Sequence, residues 1–136
     1  MKKEAVIEAA GAGAVIAAGI MAWMQGSYAA GLDEAPMPTQ FAQKRLGQSE
    51  TLAPFVGAAV MIVAGAVWGA LYALAVPKRS VKSGLLFSIL PTFGVWLVNY
   101  PLIDQPIFGG GKLKPLLLPA LMNATWGAYV GAKSKP

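Results

Sequence analysis

Four stretches of this sequence carry no charged residue: Ala9 to Leu32, Thr51 to Pro77, Ser83 to Ile103 and Pro115 to Ala132. An α-helix needs about 20 mostly apolar residues to cross a hydrocarbon core of about 30 Å, and each stretch reaches or nearly reaches that length. Alternating polarity with the turn spacing of a membrane β-barrel is absent from the sequence. Only 12% of residues are charged, against about 25% in an average soluble domain, which leaves too little polar surface to dissolve a compact chain. The expected fold is therefore all-α: an integral membrane four-helix bundle in a single transmembrane domain covering 1–136, with spans near 5–25, 53–76, 82–103 and 114–132.

Charge gives the expected direction. With four spans, Lys2, Lys3, Lys78, Arg79, Lys82, Lys133 and Lys135 share one side, and Lys44, Arg45, Lys112 and Lys114 share the other with Asp33, Glu34, Glu50 and Asp104. The side richer in Lys and Arg is cytoplasmic by the positive-inside rule, which predicts a multi-pass protein of the plasma (inner) membrane with both termini cytoplasmic. Aromatic residues agree: Trp23, Tyr28, Trp96 and Tyr100 fall at the outer ends of spans one and three, and Trp68, Tyr72, Trp126 and Tyr129 toward the inner ends of spans two and four. The net charge of +5 sits in small clusters flanking the spans, a pattern that points to membrane lipids as partners and away from nucleic acid. Met1-Lys2-Lys3, the apolar run and Ser27-Tyr28-Ala29 resemble a cleavable signal peptide, but the run is long and Glu8 interrupts its start, so an uncleaved first span is expected.

The two halves read as a repeat. Ala66-Val67-Trp68-Gly69-Ala70 recurs 58 residues later as Ala124-Thr125-Trp126-Gly127-Ala128. Spans one and three align at an offset of 73, through Gly11 with Gly84 and Trp23 with Trp96. Two hairpins in the same orientation imply a pseudo-two-fold axis along the membrane normal. Helices in lipid associate through close packing of small residues. Candidate packing ridges are Gly65 with Gly69, Gly127 with Gly131, and Ala10, Ala14, Ala18 and Ala22 in span one. They serve either the bundle interior or, for at least one of them, another membrane subunit.

The outer loop, 26–51, is the one long polar segment. Asp33-Glu34-Ala35-Pro36 reads as a turn, and Thr39 is positioned to cap a short helix ending at Gly47. Phe41, Ala42, Arg45 and Leu46 would give that helix a face lying on lipid, the alternative being a surface for a partner. The second outer loop, Asp104 to Lys112, has Pro106 and three consecutive glycines and reads as a turn.

Chemistry has few carriers here. Cysteine and histidine are both absent, which excludes thiol nucleophiles, imidazole acid–base chemistry and the usual zinc and His-ligated haem sites. No catalytic, metal or cofactor-binding residues are identified, and an enzyme is not expected. Bound lipid, quinone or pigment would be held by packing and Trp faces without His ligation. Glu8 is the acid nearest a span, and its expected place is the interface, close to Lys2 and Lys3. Glu8, Thr92, Asn99, Asn123 and Thr125 form a candidate polar path; the alternative for the uncharged four is hydrogen bonding between helices. Pro91 removes a backbone donor, frees the Phe87 carbonyl and is expected to kink span three.

Ala17-Ala18-Gly19-Ile20-Met21, Val67-Trp68-Gly69-Ala70-Leu71-Tyr72, Gly94-Val95-Trp96-Leu97-Val98-Asn99-Tyr100-Pro101 and Trp126-Gly127-Ala128-Tyr129-Val130-Gly131 follow one another in an order that resembles small bacterial and archaeal four-span membrane proteins of unknown function, the YagU-like group among them. The resemblance implies the architecture and no settled activity. Such proteins often carry a His in the last span before a Tyr-Gly or similar pair; here the region reads Asn123-Ala124-Thr125-Trp126-Gly127, so a His-dependent role is not expected. Two functions follow from the sequence. The first is a structural or accessory subunit of a larger membrane complex, respiratory or photosynthetic; the second is a small homo-oligomeric channel or carrier using Asn99, Asn123, Thr125 and the Pro91 kink.

Overall fold

A computed structural model describes residues 2–134, and all regular structure among them is helical. The helices are α1 (Lys2–Ala29), α2 (Met37–Arg45), α3 (Ala53–Ala75), α4 (Val81–Leu102) and α5 (Leu113–Lys133), with a 3₁₀ turn at Ile107–Gly111 before α5. Three of them, α1, α3 and α4, are long and apolar enough to cross a membrane. The 21-residue α5 also reaches about 30 Å at 1.5 Å per residue. Its two prolines and the Asn123-Ala124-Thr125-Trp126 stretch make it less apolar than the others. Met1, Lys135 and Pro136 lie outside the described residues, and with them one of the seven positive charges counted on the expected cytoplasmic side.

Glycine builds both hairpins. A Cβ on Gly69 would overlap the Ala9 carbonyl, and one on Gly65 the Gly13 carbonyl, so α3 lies antiparallel against the Ala9, Gly13 and Ala17 stripe of α1. In the second hairpin a Cβ on Gly127 would overlap the Gly84 carbonyl, and one on Gly131 the Ser80 carbonyl. Backbones meet this closely only where neither side chain intervenes. Gly65, Gly69, Gly127 and Gly131 are thus all occupied inside the chain. On α1 the packed stripe is one residue round from the expected ridge: Ala14 and Ala18 are half-buried flanks, and Ala22 is exposed. The expected alignment of Gly11 with Gly84 does not match the contacts, because Gly11 is exposed with open space around it whereas Gly84 packs on Gly127.

The hairpins join at the end carrying the 76–80 turn, hereafter the turn end. Ser80 caps α4 reciprocally with Ser83. The fully buried Tyr72 donates its hydroxyl to the Ser80 carbonyl at 3.2 Å and lies 2.7 Å from Ser83 Oγ. Arg79 Nε donates to the Ser134 carbonyl at 2.9 Å, satisfying an orphan acceptor at the end of α5. Phe87 fills the space above, edge-on to Tyr72 and Trp68 at centroid distances of 5.3 and 6.1 Å and tilted against Trp126 at 6.4 Å. The expected aromatic belt is therefore only partial. Trp23 and Tyr28 are exposed, but Tyr72, Tyr100 and Trp126 are buried between helices. Hydropathy locates a ring along a span, whereas neighbouring glycines decide which way round the helix it faces.

Two irregularities shape α4. The α-helix breaks at Ser88, three residues before Pro91, close to the kink expected there. A π-turn then runs over Val95–Asn99, with the Tyr100 amide reaching the Val95 carbonyl. Pro101 has no N–H for the Leu97 carbonyl, and widening the preceding turn accommodates its ring. In α5, Pro119 likewise frees the Pro115 carbonyl, which accepts the Tyr100 hydroxyl at 2.6 Å.

Candidate functional site

Away from the turn end the hairpins part around a cleft of about 770 Å³. Trp68 and Trp126 line it beside the Phe87 cluster. Its walls are Ala17, Ile20 and Met24 of α1, Met61 and Ala64 of α3, Pro91, Val95 and Asn99 of α4, and Leu118, Met122 and Asn123 of α5. Residues 31–38 and the α2 side chains Gln40 and Phe41 complete the lining. Four of the six methionines in the sequence, Met24, Met37, Met61 and Met122, take part. Unbranched thioether chains adapt to irregular apolar shapes more readily than β-branched residues do.

Helix α2 packs on α3 and the end of α4 through Ala42 and Phe41, half of the face expected to lie on lipid, while Arg45 and Leu46 stay exposed. It begins at Met37 with Pro36 in the capping position, and Thr39 sits inside it with a buried, unpaired hydroxyl, so Thr39 is not the cap. Pro38 suits a first helical turn, where its missing N–H has no intrahelical partner. Gly47 at φ +65° ends the helix as expected. The backbone of Pro38 and Thr39 rests on Gly57 of α3 at a distance a Cβ would violate. Ala42 is fully buried, and Phe41 packs against the Val95, Tyr100 and Ile103 cluster.

Two latches hold this segment over the second hairpin. Lys44 Nζ donates to the Ile103 carbonyl at 2.8 Å, and Arg45 Nε to the Leu102 carbonyl at 2.7 Å. These are terminal carbonyls of α4, where the helix dipole favours positive charge. Both side chains also pair with Asp104, at 3.7 and 3.4 Å. Asp104 is thus exposed, as expected, but not free. The second latch joins Lys114 Nζ to Asp33 Oδ1 at 3.0 Å, and this hydrogen bond holds the Asp33 carboxyl below the usual carboxylate range.

Of the expected polar path, Asn99 and Asn123 meet at the cleft, and the remaining three residues do not join them. Thr92 is buried, donates to the Ser88 carbonyl at 2.8 Å and lines a separate groove of about 350 Å³ between α4 and α5. Thr125 is exposed and donates to the Leu121 carbonyl of its own helix at 2.9 Å. Glu8 is exposed on α1. The path is therefore broken: backbone carbonyls absorb both hydroxyls, a common fate for Ser and Thr inside helices. The sequence reading missed Trp68, Trp126 and the methionines as lining residues. Their one signal was helical spacing, Met122 with Trp126 and Met61 with Trp68, which a packed core shows equally well.

Among the described residues no group of three or more acidic, His or Cys side chains is placed to hold a metal ion. The cleft offers apolar and aromatic surface, two amides and an ion pair at its rim, an arrangement suited to enclosing a molecule. No protein-family model, curated protein or solved structure matches the chain.

Proposed function

We propose that this chain is a non-catalytic, four-span protein of the plasma (inner) membrane, with both termini cytoplasmic, that receives a small lipophilic molecule in the cleft between its hairpins as a carrier or binding protein. The observation that carries this reading is the cleft itself: about 770 Å³, within the range of about 300–1,000 Å³ typical of small-molecule sites. The π-turn beside Asn99 supports it, since such turns recur at functional sites. Counting α5 as the fourth span rests on its length and on its packing against α4 through Gly127 and Gly131. The matched use of glycine in the two hairpins favours an internal duplication, and the YagU-like likeness is in keeping with that architecture.

An accessory subunit of a respiratory or photosynthetic complex is the second reading. The glycines that first suggested it face inward, but α1 carries another outward row, Gly11, Val15, Gly19 and Trp23, with open space at both glycines. The absence of native cysteine makes single-cysteine labelling direct. A membrane-impermeant maleimide added to sealed inverted vesicles is expected to label cysteines at Lys3 and Lys133 but not at Gln43; added to spheroplasts, it is expected to label Gln43 and the cleft position Ala64 but not the lipid-facing Leu121. Equal protection of Ala64 and Leu121 would refute an accessible cleft, and co-purification of a stoichiometric membrane partner would favour the subunit reading.

A further inference from the structure

We infer that the occupant of the cleft is an uncharged lipophile bearing a carbonyl or hydroxyl group, with a quinone head as the model chemistry; this rests on the cleft-binding reading above. Charge is the first discriminator. The charged side chains of the lining, Asp33, Glu34 and Lys114, all come from the rim, and Asp33 and Lys114 are paired with each other at 3.0 Å. The deeper wall from Ala17 to Trp126 has no formal charge, so an anion or cation lying there would lose its hydration without gaining a counter-ion.

Hydrogen bonding is the second discriminator. Among the described residues, the side-chain amides of Asn99 and Asn123 make no hydrogen bond, although both line the cleft. The Trp126 indole N–H, buried against Gly13 of α1, also has no acceptor. Asn99 is exposed and Asn123 half-buried at the cleft, so both amides are open to a ligand oxygen. An amide donates as well as accepts, so it suits a carbonyl or a hydroxyl equally. Shape agrees: two indoles offer flat apolar walls and the methionines adjust around a chain, a combination fitted to a ring carrying an alkyl tail.

The test uses the full-length protein in lipid nanodiscs with Trp23→Phe, which removes the lipid-exposed indole. A decyl-substituted benzoquinone is titrated while tryptophan emission is recorded. Saturable quenching is expected, relieved by decanol and unaffected by equal concentrations of decyl sulfate or decyltrimethylammonium. Asn123→Leu is expected to weaken the quinone about tenfold, the loss of one hydrogen bond, with Asn99→Leu as a second variant should the first fail to fold. Relief by either charged amphiphile as strong as that by decanol overturns the ligand class while leaving a binding cleft. Quenching that rises linearly with no saturable part overturns both the class and the cleft reading.

Discussion

The two ends of the molecule are built on opposite rules. At the turn end, glycines bring backbones into contact, and Tyr72, Phe87 and Arg79 tie the hairpins together through buried rings and satisfied carbonyls. At the α2 end the same four long helices separate, their facing positions hold Met, Trp, Asn and Pro, and the short helix α2, seated on Gly57 and tied by ion pairs, bridges the gap. One end is fixed by the absence of side chains, the other held apart by their presence. A chain of this size thereby obtains a rigid base and an open cup from helices of nearly constant length.

The contrast is broken most severely at the glycines. Gly69→Leu and Gly127→Leu are expected to cost more than about 3 kcal/mol each, because backbone rather than a movable side chain occupies the space. Loss of the monodisperse species on gel filtration in mild detergent is the expected result, whereas Gly11→Leu, facing open space, should be unchanged.

Tyr100→Phe is next. Removing the hydroxyl leaves the Pro115 carbonyl without its partner, at an expected loss of about 1–3 kcal/mol in reversible denaturation. An effect below about 0.5 kcal/mol would show that this carbonyl has another donor. A sharper comparison uses adjacent residues: Ala64 lines the cleft and Gly65 packs on Gly13. Ala64→Leu should shift stability by less than about 1 kcal/mol, while Gly65→Leu behaves like Gly69→Leu; similar losses for both would mean that the cleft is closed in the folded protein.

The smallest effect belongs to the latch at the rim. The Asp33 carboxyl titrates lower in the folded chain than in the unfolded one, so its pairing with Lys114 contributes fully above the ordinary carboxylate pKa of about 3.9 and is lost as pH falls through the depressed folded value. Both partners are partly exposed, which limits the contribution to less than about 1 kcal/mol. Amide protection in residues 30–36, corrected for the intrinsic pH dependence of exchange, should fall on acidification in the native protein and stay flat in Asp33→Asn.

Sequence patterning made the helical class and the apolar helices legible, because hydrocarbon length and charge exclusion act on composition alone. It also located Gly65, Gly69, Gly127 and Gly131, whose spacing marks a close helix contact without saying with which helix. What it missed was rotational. Nothing along the chain distinguishes Ala9-Gly13-Ala17 from Ala10-Ala14-Ala18, and that choice of face also decides whether Trp126 is interfacial or buried. The site was legible at Asn99 and Asn123, polar groups in apolar surroundings, but not at Thr92 and Thr125, whose hydroxyls turn back on their own helices. The short helix α2 was legible but its seat was not, because that surface, Gly57 together with the end of α4, is assembled from distant segments.

That same clasp by α2 has a consequence for biosynthesis. Synthesis proceeds from the N-terminus, so α2 and its seat on Gly57 emerge long before Leu102 and Ile103 supply the carbonyls that Lys44 and Arg45 cover. A nascent chain halted after Ala75 would hold the strap seated at one end and unfastened at the other. The strap is thus fastened last, only after α4 has been made to its C-terminal end.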